Sequence, residues 1–142
     1  MSARSARAGA GRGRCQAASA GAAVKKWSLA ALADHQLAYA RRASNGRSSQ
    51  TLHGGRQHRL RQTVVALAAG QRLDEHDNLD ESTLQVLCGR VQLSVGEVTS
   101  DGSAGELLIV PAGRHTLESL DDTVLLLTEV RPARRMASEP GS

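Results

Sequence analysis

Between residues 28 and 43 the apolar positions recur at helical spacing. Leu29, Leu32, Ala33, Leu37 and Ala40 fall on one face, the three-to-four repeat of an amphipathic helix. Ser28 is placed to cap its start, Arg41 and Arg42 suit the negative end of the helix dipole, and Asn45-Gly46 is a stop signal. The stripe is short and needs a surface to lie on: the sheet that follows, or a subunit interface.

From residue 50 the pattern changes to strands. Segments 50–53 and 58–67 flank Gly54-Gly55 as a hairpin, and 82–88, 91–98, 105–110, 115–120 and 123–130 follow. Ala69-Gly70, Gly89-Arg90, the stretch 100–104 and Asp121-Asp122 punctuate them as turns. Seven or eight short strands with tight turns predict an all-β fold, a sandwich or small antiparallel barrel with one N-terminal helix. Val91, Leu93 and Val95 alternate with Gln92 and Ser94, which marks one wet face. Segment 123–130 differs. Val124, Leu125, Leu126 and Leu127 are apolar on both faces of a strand, so its outer side must also be covered. A homodimer, with Leu125 or Leu127 turned outward, is the expected cover, and the helix is the alternative.

Composition sets the boundaries. The chain has 142 residues, 40% of them hydrophobic, with no Phe, one Trp and one Tyr. The core must therefore be Leu, Val and Ala, and a base-stacking platform or aromatic cage is not expected. No apolar run approaches the roughly 18 residues of a membrane span, so the chain reads as soluble and without a membrane partner. Residues 1–26 hold six basic residues and no acid, whereas 27–130 hold nine basic and 13 acidic residues. The overall charge of +4 thus belongs to the tails. Residues 1–26 are mostly Ala, Gly, Ser and Arg and read as a disordered tail, against the alternatives of a transit peptide or non-specific nucleic-acid contact. Residues 27–130 form the expected folded domain and 131–142 a second tail. Cys15 and Cys88 lie in unlike settings and do not make a disulfide framework, which fits a cytoplasmic protein.

Two glycine-bounded segments carry the remaining signal. Gly70 is followed by five residues and His76, then by Asn78, Glu81, Ser82 and a closing Gly89; Gly105 is followed by Pro111, Gly113 and His115. This pair resembles the two motifs of the cupin family over about residues 60–130. Asn78 stands where that family has its second His, Ser82 where it has its Glu, and His115 arrives one residue early. The resemblance implies a small jelly-roll barrel with His76 and His115 at its mouth, where such proteins hold a metal. By strand parity His76, Asn78 and Ser82 share a face. A bulge at Leu79-Asp80 would turn Glu81 inward, giving His76, Glu81 and His115 as a ligand set for one divalent metal (Fe, Mn, Ni or Zn). Without that set the cavity is metal-free. Gln62, Asn78, Gln85 and Arg114 are the candidate contacts to a small-molecule ligand.

No nucleophile elbow, phosphate loop or Cys-x-x-Cys pair appears, so acyl transfer and nucleotide hydrolysis lack sequence support. Three readings stay open. The chain is a cupin-like protein that binds a small molecule, with or without a divalent metal. Alternatively it is a metal-dependent enzyme of dioxygenase or isomerase type acting on a small polar or phenolic substrate. The third reading is an interaction protein whose basic tails recruit an acidic partner.

Overall fold

The structure, a computed structural model, describes residues 24–75 and 81–132. Helix α1 (Leu29–Arg42) leads into nine strands: β1 (Arg47–His53), β2 (Leu60–Leu67), β3 (Arg72–Glu75), β4 (Glu81–Cys88), β5 (Arg90–Val95), β6 (Val98–Ser103), β7 (Leu107–Val110), β8 (His115–Ser119) and β9 (Thr123–Val130). All the strand pairings are antiparallel. They build a five-stranded sheet in the order β1-β2-β9-β4-β7 and a four-stranded sheet in the order β3-β8-β5-β6. Of the two predicted tails, only residues 24–26 and 131–132 fall among those described.

The helix forms as its sequence dictates. The Ser28 side chain accepts from the Ala31 amide at 3.1 Å, and Arg41 and Arg42 occupy the last turn. Asn45 Oδ1 then accepts from the Arg47 amide at 3.1 Å, a local turn that starts β1. The buried face of α1 lies on the outside of the five-stranded sheet. Ala40 is fully buried there, and Leu29, Leu32, Ala33 and Leu37 pack with Val64, Ala66, Val124 and Leu126.

Between the sheets sits a second cluster: Leu67, Leu84, Val86, Val91, Leu93, Val110, Leu117 and Leu125. Strands β2 and β9 are apolar on both faces because one face meets the opposite sheet and the other meets the helix. The expected outward leucines are thus corrected. Leu125 is 1% exposed in the inter-sheet cluster and Leu127 packs against it, while Val124 and Leu126 face the helix. A Lys at Leu125 would therefore bury a charge and unfold the protein rather than separate subunits.

Two strands depart from the sequence reading. β3 is short and charged, and β6 occupies residues read as a turn. Gly96, at φ +63°, splits the expected 91–98 strand into the hairpin of β5 and β6, in which Val95 pairs with Val98. Among the described residues no helix is long and apolar enough to cross a membrane.

Candidate ligand site at one end of the sandwich

The connections define two ends of the inter-sheet space. At one end β7 turns into β8 through residues 111–114, and there β3 ends and β4 begins. On the five-stranded sheet one row of residues crosses this end: Arg61 pairs with Glu129, Glu129 with Ser82, and Ser82 with Val110. Counting by two from Val65 and Leu67, from Leu125 and Leu127, and from Leu84 and Val86 puts that whole row on the inner face. Three polar side chains, one of each charge and a hydroxyl, thus cap the inner layer, with buried Thr63 in the row beneath.

Arg61 and Glu129 are held at 3.9 Å, beyond hydrogen-bond distance. The Arg61 Nε is buried and has no hydrogen-bond partner, although the side chain as a whole is 41% exposed. Glu129 is 19% exposed, and Ser82 is buried at 9%. A buried donor left without an acceptor is costly, and native proteins keep few of them. Arg61 and Glu129 carry no signal in the sequence, because β2 and β9 read apolar at consecutive positions, which hides their parity. The Ser82 position was visible from the motif spacing.

His115 opens β8 opposite Glu75 and shares the inward parity of Leu117 and Ser119. It is half-buried, with Nδ1 3.4 Å from the Gly113 carbonyl oxygen. The next residue, Thr116, faces outward, where its hydroxyl donates to Asp74 Oδ1 at 3.0 Å. The shortened spacing after Gly113 is therefore absorbed by the turn, and His115 keeps the inner side.

The other sequence candidates are distributed differently. His76 and Asn78 lie outside the described residues. Glu81 begins a ladder that runs regularly to Val86, its irregularity coming only between Val86 and Cys88. Glu81 is exposed on the outer face with Thr83 and Gln85, so the carboxylate at this level on the inner face is Glu129. Gln62 is also on the outer face, where its Nε2 donates to Thr128 Oγ1 at 3.2 Å. Arg114 is exposed. Among the described residues no group of three or more His, Cys, Asp or Glu side chains converges on a point. Those residues alone do not fit a metal centre.

No family profile and no curated protein matches this sequence. Solved structures do match its fold. A conserved protein of unknown function from Streptococcus pyogenes aligns with TM-score 0.57 at 24% identity, covering 64% of this chain and 79% of that one. A cupin superfamily protein from Desulfitobacterium hafniense aligns with TM-score 0.56 at 17% identity, covering 61% and 78%. The cupin domain of Schizosaccharomyces pombe Cnp3 aligns with TM-score 0.56 at 16% identity, covering 67% and 71%. The chain has the cupin-superfamily fold, an RmlC-like jelly roll. Proteins of unknown function and transcriptional regulators both align with this fold, so the fold leaves the task of this chain to its site.

Proposed function

We propose that this chain binds a small polar molecule between its two sheets, at the end bounded by Arg61, Ser82, Glu129 and His115. In this reading the sheets close around the ligand as a barrel. One observation carries it: beyond the apolar inter-sheet cluster this row presents a buried Arg61 Nε with no hydrogen-bond partner among the described residues. A ligand carboxylate or hydroxyl oxygen supplies the missing acceptor. Glu129 accepts from a ligand hydroxyl or amine, and Ser82 and His115 donate or accept as required. Binding needs no chemical step, and none is assigned. The test is calorimetric titration with a panel of small hydroxy-carboxylates, for the wild type and for Arg61→Gln and Glu129→Gln. A ligand that loses tenfold or more in affinity in Arg61→Gln supports the site, since charged hydrogen bonds contribute about 1.5–3 kcal/mol. Binding indifferent to both substitutions would place the ligand elsewhere.

A second reading keeps a divalent metal. It is supported by the register that sets Glu75 against His115, because His76 is the next residue in the chain. His76 and His115 would then be ligands, with Glu129 rather than Glu81 as the inward carboxylate. Titration with iron, manganese, nickel and zinc tests it. Binding should disappear in His115→Ala and survive Glu81→Ala.

A further inference from the structure

The edge of the five-stranded sheet is built to pair with itself. β7 is bonded to β4 on one side, and its other side is open among the described residues. The Val86 amide donates to the Glu106 carbonyl at 2.9 Å, and the Gly105 amide donates to the Val86 carbonyl at 2.8 Å. With Gly105 at φ +90°, this is a glycine bulge opposite Val86. In an antiparallel ladder the bonded pairs alternate. Leu84↔Leu108 and Ser82↔Val110 are therefore the bonded pairs with β4. The N–H and C=O groups of Leu107 and Ile109 point the other way, out of the edge. Their side chains are also exposed, by 58% and 69%. Both the backbone and the side chains of these two residues thus lack a covering element among the described residues.

We propose that β7 pairs antiparallel with β7 of a second copy about a twofold axis at Leu108. Leu107 of each copy then faces Ile109 of the other, and each such pair exchanges two backbone hydrogen bonds. The register is decided by parity, because it joins the two outward-pointing residues to each other and leaves Leu108 against Leu108 at the axis. Pro111, which has no N–H to offer, ends the ladder. Charge permits the pairing. The outer-face rows crossing the joint run Thr83, Ile109, then Leu107 and Gln85 of the second copy, so no like charges meet. Beside the axis, a slot of about 290 Å³ opens between β6 and β7, walled by Val95, Val98, Leu108, Ile109 and Pro111. Val98 is 69% exposed at its rim. Stable interfaces bury roughly 800 Å² per partner. Three ladder pairs fall short of that even with the slot walls added, so the dimer is a weak, concentration-dependent one.

Sedimentation velocity from roughly 5 to 500 µM should show a monomer–dimer equilibrium in the full chain. Ile109→Pro removes an amide that points only outward. It should leave the fold intact by circular dichroism and raise the dissociation constant at least tenfold. Leu107→Lys should do the same, and the double variant Leu107→Lys, Ile109→Glu should restore dimer through two cross-strand pairs. Amide exchange should slow with concentration at Leu107 and Ile109 and not at Leu108. A wild type monomeric throughout the range overturns the proposal. A dimer untouched by Ile109→Pro and Leu107→Lys overturns it too, as does concentration-independent protection of those amides, which would mean that the chain covers its own edge.

Discussion

The two ends of the sandwich treat buried polar groups in opposite ways. At the end away from His115, Ser119 and Thr123 are almost wholly buried, yet both are bonded to backbone. The Ser119 hydroxyl donates to the Ala68 carbonyl at 2.6 Å and accepts from the Gln71 amide at 2.9 Å. Thr123 Oγ1 accepts from the Arg90 amide at 3.2 Å and lies 2.8 Å from the Asp121 carbonyl and 3.0 Å from that of Arg90. Asp122 ties the Ala69 amide to Arg41 of the helix, at 2.9 and 2.8 Å. At the His115 end, Arg61 Nε has no hydrogen-bond partner among the described residues, and the carboxylate it pairs with stands 3.9 Å away. One end uses its polar side chains to hold strands together, and the other leaves a buried donor without a hydrogen-bond acceptor among the described residues. The lesson is that a polar residue inside a sandwich is informative only once its partners have been counted.

The bonded end should fail hardest. A Cβ on Gly89 would sit 2.2 Å from the Asp122 carbonyl oxygen and 2.4 Å from Thr123 Oγ1, at a backbone φ of +88°. Neither the clash with backbone nor the left-handed conformation can be relieved cheaply. Gly89→Ala is expected to cost more than about 3 kcal/mol, seen in urea denaturation as a large fall in midpoint or as loss of cooperative unfolding. A fall of under 1 kcal/mol would mean that this corner is loose, and the contrast between the ends would weaken.

A matched pair of serine substitutions sharpens it. Ser119→Ala leaves the Gln71 amide and the Ala68 carbonyl without that hydroxyl and should cost about 2 kcal/mol. Ser82→Ala removes the hydroxyl of a buried residue for which no bond to another described residue is seen, and should cost less than about 0.5 kcal/mol. Thermal unfolding of the two variants under one buffer reads the difference directly. Equal losses would show that Ser82 is as firmly bonded as Ser119.

A smaller effect is expected at Asp122. The Ala69 amide and then the Arg41 guanidinium hold its carboxyl below the usual carboxylate value. A lowered folded-state pKa means that the stabilisation is complete above the unfolded value of about 4 and is lost as the pH falls through the lowered one. Asp122→Asn should cost about 1 kcal/mol at pH 7, because the group is partly exposed. It should also flatten the acid limb of stability against pH. An unchanged acid limb would remove Asp122 from the helix-to-sheet tie.

The helix, the all-β body and most strand positions were legible, because each rests on a local signal: a 3.6-residue stripe with its cap, or apolar runs between turn residues. Strand orientation was not. Val64–Leu67 and Val124–Leu127 are apolar at every position, so nothing local says which alternate residues face the other sheet. The sequence pattern therefore points Leu125 outward and Gln62 toward the cavity, and it gives no sign of Arg61 and Glu129. β6 escaped notice because VTSDGS is polar and glycine-containing, as an edge strand often is. In the candidate site, the family spacing located Ser82 and His115. The Arg61–Glu129 pair depends on a register that joins residues 68 apart in the chain, and only the fold supplies that.

The smallest expected effect is also the most discriminating. Arg61→Met keeps the length and apolar stem of the side chain and removes the guanidinium. If Arg61 served stability, its loss would remove the ion pair with a half-buried Glu129, and unfolding should become easier by a kilocalorie or more. If it serves a ligand, the change also removes a buried donor that had no acceptor, and the two effects offset each other. The expectation is a shift of less than about 0.5 kcal/mol in either direction. Set beside the roughly fourfold larger loss in Ser119→Ala, such a result would assign the polar groups of one end to the fold and those of the other to binding. A loss in Arg61→Met as large as that of Ser119→Ala would erase the distinction and make the Arg61–Glu129 pair a structural brace.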